Sequence, residues 1–332
     1  MRVLFNTYPW AFECPGGGEM QLMNYARHLP AAGVQVDLLD IWKPQLPEAE
    51  LVHFFSLVGG SSSFCHYIRH VRRLPLVITS SLWVNDENFR SYPVDEIRHQ
   101  MAMAHVVVTN SDMESQRLSD YFELPRDLFQ AVYNGVDRSF LPPADPQDFR
   151  TQFKVEGPFL LNVGNIEPRK NQLGLVRAVK SLGLPLILIG QPRDQDYFQQ
   201  VMQEGSGFTR YLGRLEHDDR LLRSAYAACS LFVLPSTLET PGLAALEAAA
   251  QGAKIAVTAE GSTQDYFGDH VTYLDHRSPE AIGSAIRQEL TQTRDGALAR
   301  HIAERFTWDR IAKDLADVYH EAIRRQTNGS IA

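Results

Sequence analysis

Cysteine is scarce. Cys14, Cys65 and Cys229 stand far apart in 332 residues and form no C-x-x-C pair. That excludes a disulfide scaffold and leaves free thiols in a reducing cytosol as the expectation. Long apolar runs are missing too. None approaches the roughly 18 residues of a membrane span, and the opening Met-Arg-Val-Leu-Phe-Asn-Thr reads as a first strand because its apolar stretch is too short for a signal peptide. Basic charge is in deficit, with 32 Lys and Arg against 40 Asp and Glu, a net −8. A general nucleic-acid binder needs a basic field, so that class is set aside, while a local pocket for one small phosphate remains open. The 11 histidines show no H-E-x-x-H spacing, which argues against zinc. Repeats, low-complexity segments and a G-x-G-x-x-G dinucleotide fingerprint are also lacking.

What is present is an ordinary soluble composition, 44% hydrophobic and 22% charged, on a chain long enough for two domains. Short β-rich runs alternate with helical patterns almost throughout. In the first half, strands are expected at 3–6, 34–39, 51–55, 76–79 and 105–109, with a helix at about 18–29. The stretch Arg138–Gln152, rich in Pro and Asp, reads as a linker. After it come expected strands at 159–163, 185–189, 210–212, 231–234 and 254–258. Helices are expected at 172–181, 218–228, 242–251, 279–292 and, as an amphipathic stretch with Ile311, Leu315, Val318, Tyr319 and Ile323 on one stripe, at 308–324. Alternation of this kind predicts two α/β domains, each a doubly wound parallel sheet, with ligands beyond the carboxyl ends of the strands.

Three constellations carry chemistry. In Glu239-Thr-Pro-Gly242-Leu-Ala-Ala-Leu-Glu247 an apolar strand runs through a loop into a helix of almost pure Ala and Leu. Such a helix should be buried, and a carboxylate inside it is costly unless something hydrogen-bonds to it. Between the two acids, the N–H groups of the helix start suit an anion. The plain alternative is an N-terminal charge and a salt-bridged core residue. In Gly164-Asn-Ile-Glu-Pro-Arg169-Lys170-Asn171, two cations at a helix start suit a diphosphate, against the alternative of a solvated loop. Gly16-Gly17-Gly18 lets a backbone approach a ligand closely, although a flexible turn would look the same.

Taken in order, Gly16-Gly17-x-Glu19, Tyr133-Asn-Gly-Val-Asp137, Gly164…Arg169-Lys170-Asn171, Tyr211-Leu-Gly213 and Glu239-x-x-Gly242-Leu243-x-x-Leu246-Glu247 resemble glycosyltransferase family 4 over nearly the whole chain. These are retaining, nucleotide-sugar-dependent enzymes of GT-B fold. The resemblance implies two Rossmann-like domains facing each other across a cleft. Residues 1–145 form the acceptor side, with the helix 308–325 packing back on them, and 153–305 form the donor side. It implies that Lys170 holds the donor diphosphate, that Glu247 receives the ribose hydroxyls and that Glu239 contacts the transferred sugar. The N–H groups of Gly242 and Leu243, beside Thr240, would bind phosphate oxygens. Gly16 and Gly17 would approach from the other domain, and the base would rest near Leu212–Arg214.

The chain departs from the family at three places. Asn165 stands where the family carries an Arg, and Arg169 is expected to supply that cation. Pro241 removes one N–H donor. Ser81 replaces a His near the donor sugar, so Ser81, Trp83 and Asn85 are expected to shape the acceptor pocket instead.

The expected activity is metal-independent retaining transfer of a hexose from a UDP- or GDP-sugar to a glycan or lipid-linked acceptor, as in polysaccharide biosynthesis, with no cofactor. The alternatives are a nucleotide-sugar epimerase, a phosphorylase and a degenerate nucleotide-sugar-binding protein. Asp194-Gln195-Asp196 imitates a metal-binding Asp-x-Asp but fits a helix cap better. His53 reads equally as a packed polar residue or a ligand contact. The Arg69, His70, Arg72 and Arg73 cluster is either a solvated helix face or a patch facing a membrane. The location expected is cytoplasmic, with a peripheral contact at the inner membrane face on the second of those readings.

Overall fold

A computed structural model describes residues 1–13, 15–43, 48–58, 60–141 and 143–329. Cys14 therefore lies outside the described residues. The chain divides into two compact units, Met1–Asn134 together with the helix Trp308–Gly329, and Gly135–Thr307.

The first unit is built on β1 (Arg2–Thr7), β2 (Gln35–Leu38), β3 (Leu51–Phe55), β4 (Leu76–Thr79), β5 (Val106–Thr109) and β6 (Phe129–Ala131), paired in the order β2-β1-β3-β4-β5-β6. Every pairing is parallel. Each residue of β3, β4 and β5 is buried, as strands covered by helices on both faces must be. The helix Trp308–Gly329 joins this unit through its apolar stripe. Trp308 sits edge-on to Tyr25 at 5.7 Å, and the Tyr319 hydroxyl lies 2.8 Å from Nδ1 of His53. The other His53 nitrogen lies 2.7 Å from the Thr79 hydroxyl. His53 is thus the packed polar residue of the two readings. Burial lowers its pKa to about 3, so the ring stays neutral.

The second unit carries β7 (Leu160–Val163), β8 (Leu186–Ile189), β9 (Thr209–Tyr211), β10 (Leu231–Leu234), β11 (Ile255–Thr258) and β12 (Thr272–Leu274), in the order β12-β11-β10-β7-β8-β9, again all parallel. The chain winds outward from β7 through β8 to β9, then returns to start β10 on the other side of β7. The boundary between β7 and β10 is therefore the topological switch point, where loops on the carboxyl edge diverge and leave room for a ligand.

The stretch expected as a linker is structured. Arg138–Phe140 forms a 3₁₀ turn and Pro146–Phe153 a helix, with Phe140 and Phe149 fully buried. Of the Pro and Asp that suggested a loop, Asp145, Pro146 and Asp148 form the start of that helix, Pro143 precedes it, and Pro142 lies outside the described residues. Asp145 caps it by accepting from the Gln147 N–H at 2.9 Å, and Pro146 takes the first helical position, where a missing N–H costs nothing. The helix packs against Arg220–Ala228, so residues 135–153 belong with the second unit. Cys65 and Cys229 are free, and burial pushes both thiols up to about 12. Among the described residues no helix is long and apolar enough to cross a membrane.

Candidate active site

Because β7 and β10 are neighbours, the loops that leave them are knitted together. The Thr237 N–H donates to the Arg169 carbonyl at 2.8 Å, and an Arg169 guanidinium nitrogen donates to the Leu238 carbonyl at 3.2 Å. Glu239 is fixed from a third loop, the one after β11. Its N–H donates to the Glu260 carbonyl, and its carbonyl accepts from the Ser262 N–H at 2.9 Å. Gly261 makes that approach feasible, since a Cβ there would fall 2.0 Å from the Glu239 carbonyl oxygen.

The clamp aims the Glu239 side chain at Lys170. Oε1 accepts from the Lys170 ammonium and from the Ser236 hydroxyl, both at 2.5 Å, and Glu239 is only 5% exposed. Burial by itself would raise this carboxyl. The charges of Lys170 and Arg169, with the bonds from Lys170 and Ser236, outweigh it and hold the carboxyl below its ordinary value. Gly242 lies against the same carboxylate, with φ +84, and a Cβ there would fall 2.8 Å from Cδ2 of Leu234 and 3.2 Å from Oε2 of Glu239. The helix Leu243–Ala250 starts there, and its first intrahelical bonds run from the Ala245 and Leu246 N–H groups to the Gly242 carbonyl. The Leu243 and Ala244 N–H groups precede those bonds, as the first donors of any helix do. Gly164 faces the Lys170 stem, 3.7 Å from where its Cβ would stand.

Glu247, 7% exposed on the buried helix, is held separately. Oε2 accepts from the Tyr226 hydroxyl at 2.9 Å, and Oε1 lies 3.2 Å from Nδ1 of His217. The structure thus gathers Lys170, Glu239, Ser236 and Gly242 around one carboxylate and places Glu247 further along the same helix. Ser236, Tyr226 and His217 are the residues that sequence reasoning missed.

Other expected residues are engaged locally. Arg169 is half-exposed and pairs with Glu167 at 3.2 Å, so its guanidinium lies beside the Lys170 pair without joining it. Asn165 offers its carbonyl to the Gln172 amide at 2.9 Å. Thr240 precedes Pro241 through a cis peptide. The Leu212 N–H is tied to the Leu188 carbonyl, and Arg214 reaches Glu216 at 2.9 Å. In the first unit, Gly16 starts the helix Gly17–His28 and donates its N–H to the Glu19 carboxylate at 2.7 Å, while a Cβ on Gly17 would meet nothing within 4 Å. Ser81 adopts a left-handed φ of +44, with its hydroxyl toward Gly18. Trp83 is buried beneath the Arg117 guanidinium, 4.7 Å away. Asn85 spends its side-chain carbonyl on the N–H groups of Glu87 and Asn88.

Asp194 caps the helix Gln195–Glu204, accepting from the Tyr197 N–H at 2.9 Å. Asp194→Ala should therefore lower stability by about 1 kcal/mol in chemical denaturation, and an unchanged midpoint would remove the capping role. Of the basic cluster, Arg69 is drawn inward to His105 and Gln326 and cannot belong to a free cationic face.

Comparison with known proteins places these features in context. Residues 144–322 match the family profile described as glycosyl transferases group 1. The chain is 29% identical over 252 residues to the O-antigen chain mannosyltransferase B of Escherichia coli, covering 69% of this chain and 65% of that protein. It is 28% identical to the D-inositol 3-phosphate glycosyltransferase of Salinispora tropica, covering 67% and 52%. The chain thus spans between about half and two thirds of these relatives. Among solved structures, the sucrose-phosphate synthase of Thermosynechococcus elongatus superposes with TM-score 0.79 at 19% identity, covering 97% of this chain and 98% of its own. Anabaena Alr3699/HepE in complex with UDP gives 0.77 at 19%, covering 96% and 100%. These likenesses show the fold, two Rossmann-like units of the GT-B type.

Proposed function

The chain belongs to the group 1 glycosyl transferases, and on that premise we propose that it moves a hexose from a nucleotide diphosphate sugar to a glycan or lipid-linked acceptor, with retention and without a metal ion. The observation that carries the reading is the ion pair at the switch point between the largely buried Lys170 and the buried Glu239, with a second buried acid, Glu247, eight residues after Glu239 and inside the helix that follows. A lysine and an acid are costly to bury for stability alone. They suit a ligand that brings both negative charge and hydroxyl groups.

In this reading Lys170 turns to the diphosphate, Arg169 adds a second cation at its edge, and the Gly242 and Leu243 N–H groups take phosphate oxygens. Freed of Lys170, Glu239 accepts from the sugar hydroxyls, and Glu247 accepts from the ribose. As the anomeric C–O bond breaks, its electron pair goes to the leaving phosphate oxygen, where the cation and helix dipole stabilise the charge. The acceptor oxygen bonds to the anomeric carbon on the same face and passes its proton to that phosphate. The first unit, with Gly16, Gly17, Ser81, Trp83 and Asn85, takes the acceptor side. The E. coli relative, an O-antigen chain mannosyltransferase, supports a hexose donor and a glycan acceptor.

A thermal-shift panel of UDP- and GDP-hexoses tests this, because a ligand bound only by the folded state raises the melting temperature. One of them should raise it, and should then serve as donor for a product that keeps the anomeric configuration, at a rate unchanged by EDTA. No shift with any nucleotide sugar would reject the donor assignment. An inverted product would reject retention, and strict manganese dependence the metal-free chemistry.

A further inference from the structure

Glu247 sits in an unusual holder. Its two oxygens are engaged from two different elements: Oε2 by Tyr226 on the helix Arg220–Ala228, and Oε1 by His217 in the loop that follows β9. An ionised carboxylate is acceptor-only, so both partners must donate, and Nδ1 of His217 carries a proton. The other ring nitrogen, Nε2, is buried with no hydrogen-bond partner among the described residues. The ring leans on Phe140, 5.3 Å away, and Phe140 in turn lies 6.3 Å from the Tyr226 ring. His217 therefore makes its one side-chain hydrogen bond to Glu247, at the cost of an orphaned nitrogen.

The consequence is geometric. The bonds from Tyr226 and His217 fix the rotation of the Glu247 carboxylate group. Held at both oxygens, it presents its remaining lone pairs in one plane, an arrangement suited to two vicinal hydroxyls. We propose that His217 is a positioning residue that locks Glu247 for a ribose diol, so that discrimination between ribo- and 2′-deoxyribonucleotides depends on a residue that touches neither. This rests on the reading that Glu247 receives the ribose. It also joins the loop after β9 to Glu247, so that a shift of that loop is felt at the acid.

The experiment measures binding of UDP and 2′-deoxy-UDP, and of GDP and 2′-deoxy-GDP, by calorimetry to the full chain. It compares the unmodified protein with Glu247→Ala, His217→Ala and His217→Asn, each checked for an unchanged far-UV spectrum. A hydrogen bond to a charged group corresponds to roughly 10- to 100-fold in affinity. The unmodified protein should therefore prefer the ribonucleotide by about tenfold or more, and Glu247→Ala should abolish the preference. His217→Ala should reduce it to about threefold or less while leaving deoxynucleotide affinity nearly unchanged. His217→Asn, whose amide keeps a donor near the place of Nδ1, should restore it. If the unmodified protein binds neither ribonucleotide, or if Glu247→Ala still discriminates, the donor reading fails and this inference with it. If Glu247→Ala loses discrimination but His217→Ala keeps it in full, the donor reading stands and the positioning role is refuted. Equal loss of ribo- and deoxynucleotide binding in His217→Ala would show a merely structural part and would likewise overturn it.

Discussion

Lys170→Met should cut sugar transfer by about 10²- to 10³-fold, the usual effect of removing one charge-stabilising group from a transition state. It should also destabilise the second unit by about 3–5 kcal/mol, because a buried ion pair that loses one member leaves an uncompensated charge. The second effect follows from Glu239 being 5% exposed and held below the ordinary carboxyl value against the opposing effect of its burial. Without Lys170, Ser236 and the more distant Arg169 are the remaining support, and burial then dominates. The direction with pH follows. A carboxyl whose folded value is depressed adds stability above its ordinary 4.5, and that contribution is lost as pH falls through the folded value. In Lys170→Met the loss should already be present at neutral pH. The double variant Lys170→Met with Glu239→Gln removes both charges and should recover most of the stability, while transfer stays lost. Denaturation midpoints and initial rates on the two variants separate the contributions. A double variant as unstable as Lys170→Met would mean that the pair is not the source of the cost, and full activity in Lys170→Met would remove the lysine from the site.

How far such a site can be read from sequence depends on whether its signal is local. Strands buried on both faces, such as Leu186–Ile189, Leu231–Leu234 and Ile255–Thr258, are unbroken apolar runs and were expected nearly to the residue. The edge strands Phe129–Ala131 and Thr272–Leu274 are three residues long and mixed in polarity, so nothing marks them before their neighbours are known. Asp145 to Asp148 shows the opposite failure, since Pro and Asp signal a loop and a helix start with equal force, and only the buried Phe149 decides between them. In the candidate site, Glu247 stands out because a carboxylate among Ala and Leu is an anomaly on any reading, and Glu239 because it lies at the strand exit eight residues before it. Ser236, Tyr226 and His217 are ordinary residues in ordinary places, and what makes them matter is a partner brought close by the sheet order β10-β7-β8-β9. In the first unit, too, the partners of Trp83 and Asn85 come from the fold: Trp83 lies under the Arg117 guanidinium, and Asn85 accepts from the N–H groups of its own turn.

Raising the pH from 5 to 8 should cost the first unit about 3 kcal/mol through one side chain, Glu114, at about 1.4 kcal/mol for each pH unit between 4.5 and its folded value near 7. Glu114 is fully buried at the start of the helix Asp112–Phe122, and burial is the cause of the raised value. The Ser80 hydroxyl at 2.5 Å and the N–H groups of Asn110, at 3.0 Å, and Leu82 oppose the shift without cancelling it. Between pH 4.5 and 7 the unfolded chain has this carboxyl ionised and the folded chain has it protonated. The folded state then binds more protons, so stability is full below 4.5 and is lost as pH rises through 7. Glu114→Gln copies the neutral acid. Its carbonyl can accept from the Asn110 N–H, and its amide can donate to the Ser80 oxygen, which still donates to the Val108 carbonyl at 3.2 Å. Relative to this variant, the unmodified protein should lose about 3 kcal/mol between pH 5 and 8, read from urea midpoints at each pH. If the difference between the two proteins is the same at both, the acid is ionised throughout and the argument from burial fails. The outcome reaches beyond stability, because Ser80 and Leu82 bracket Ser81, whose left-handed backbone is held between two residues that both bond to this one carboxyl.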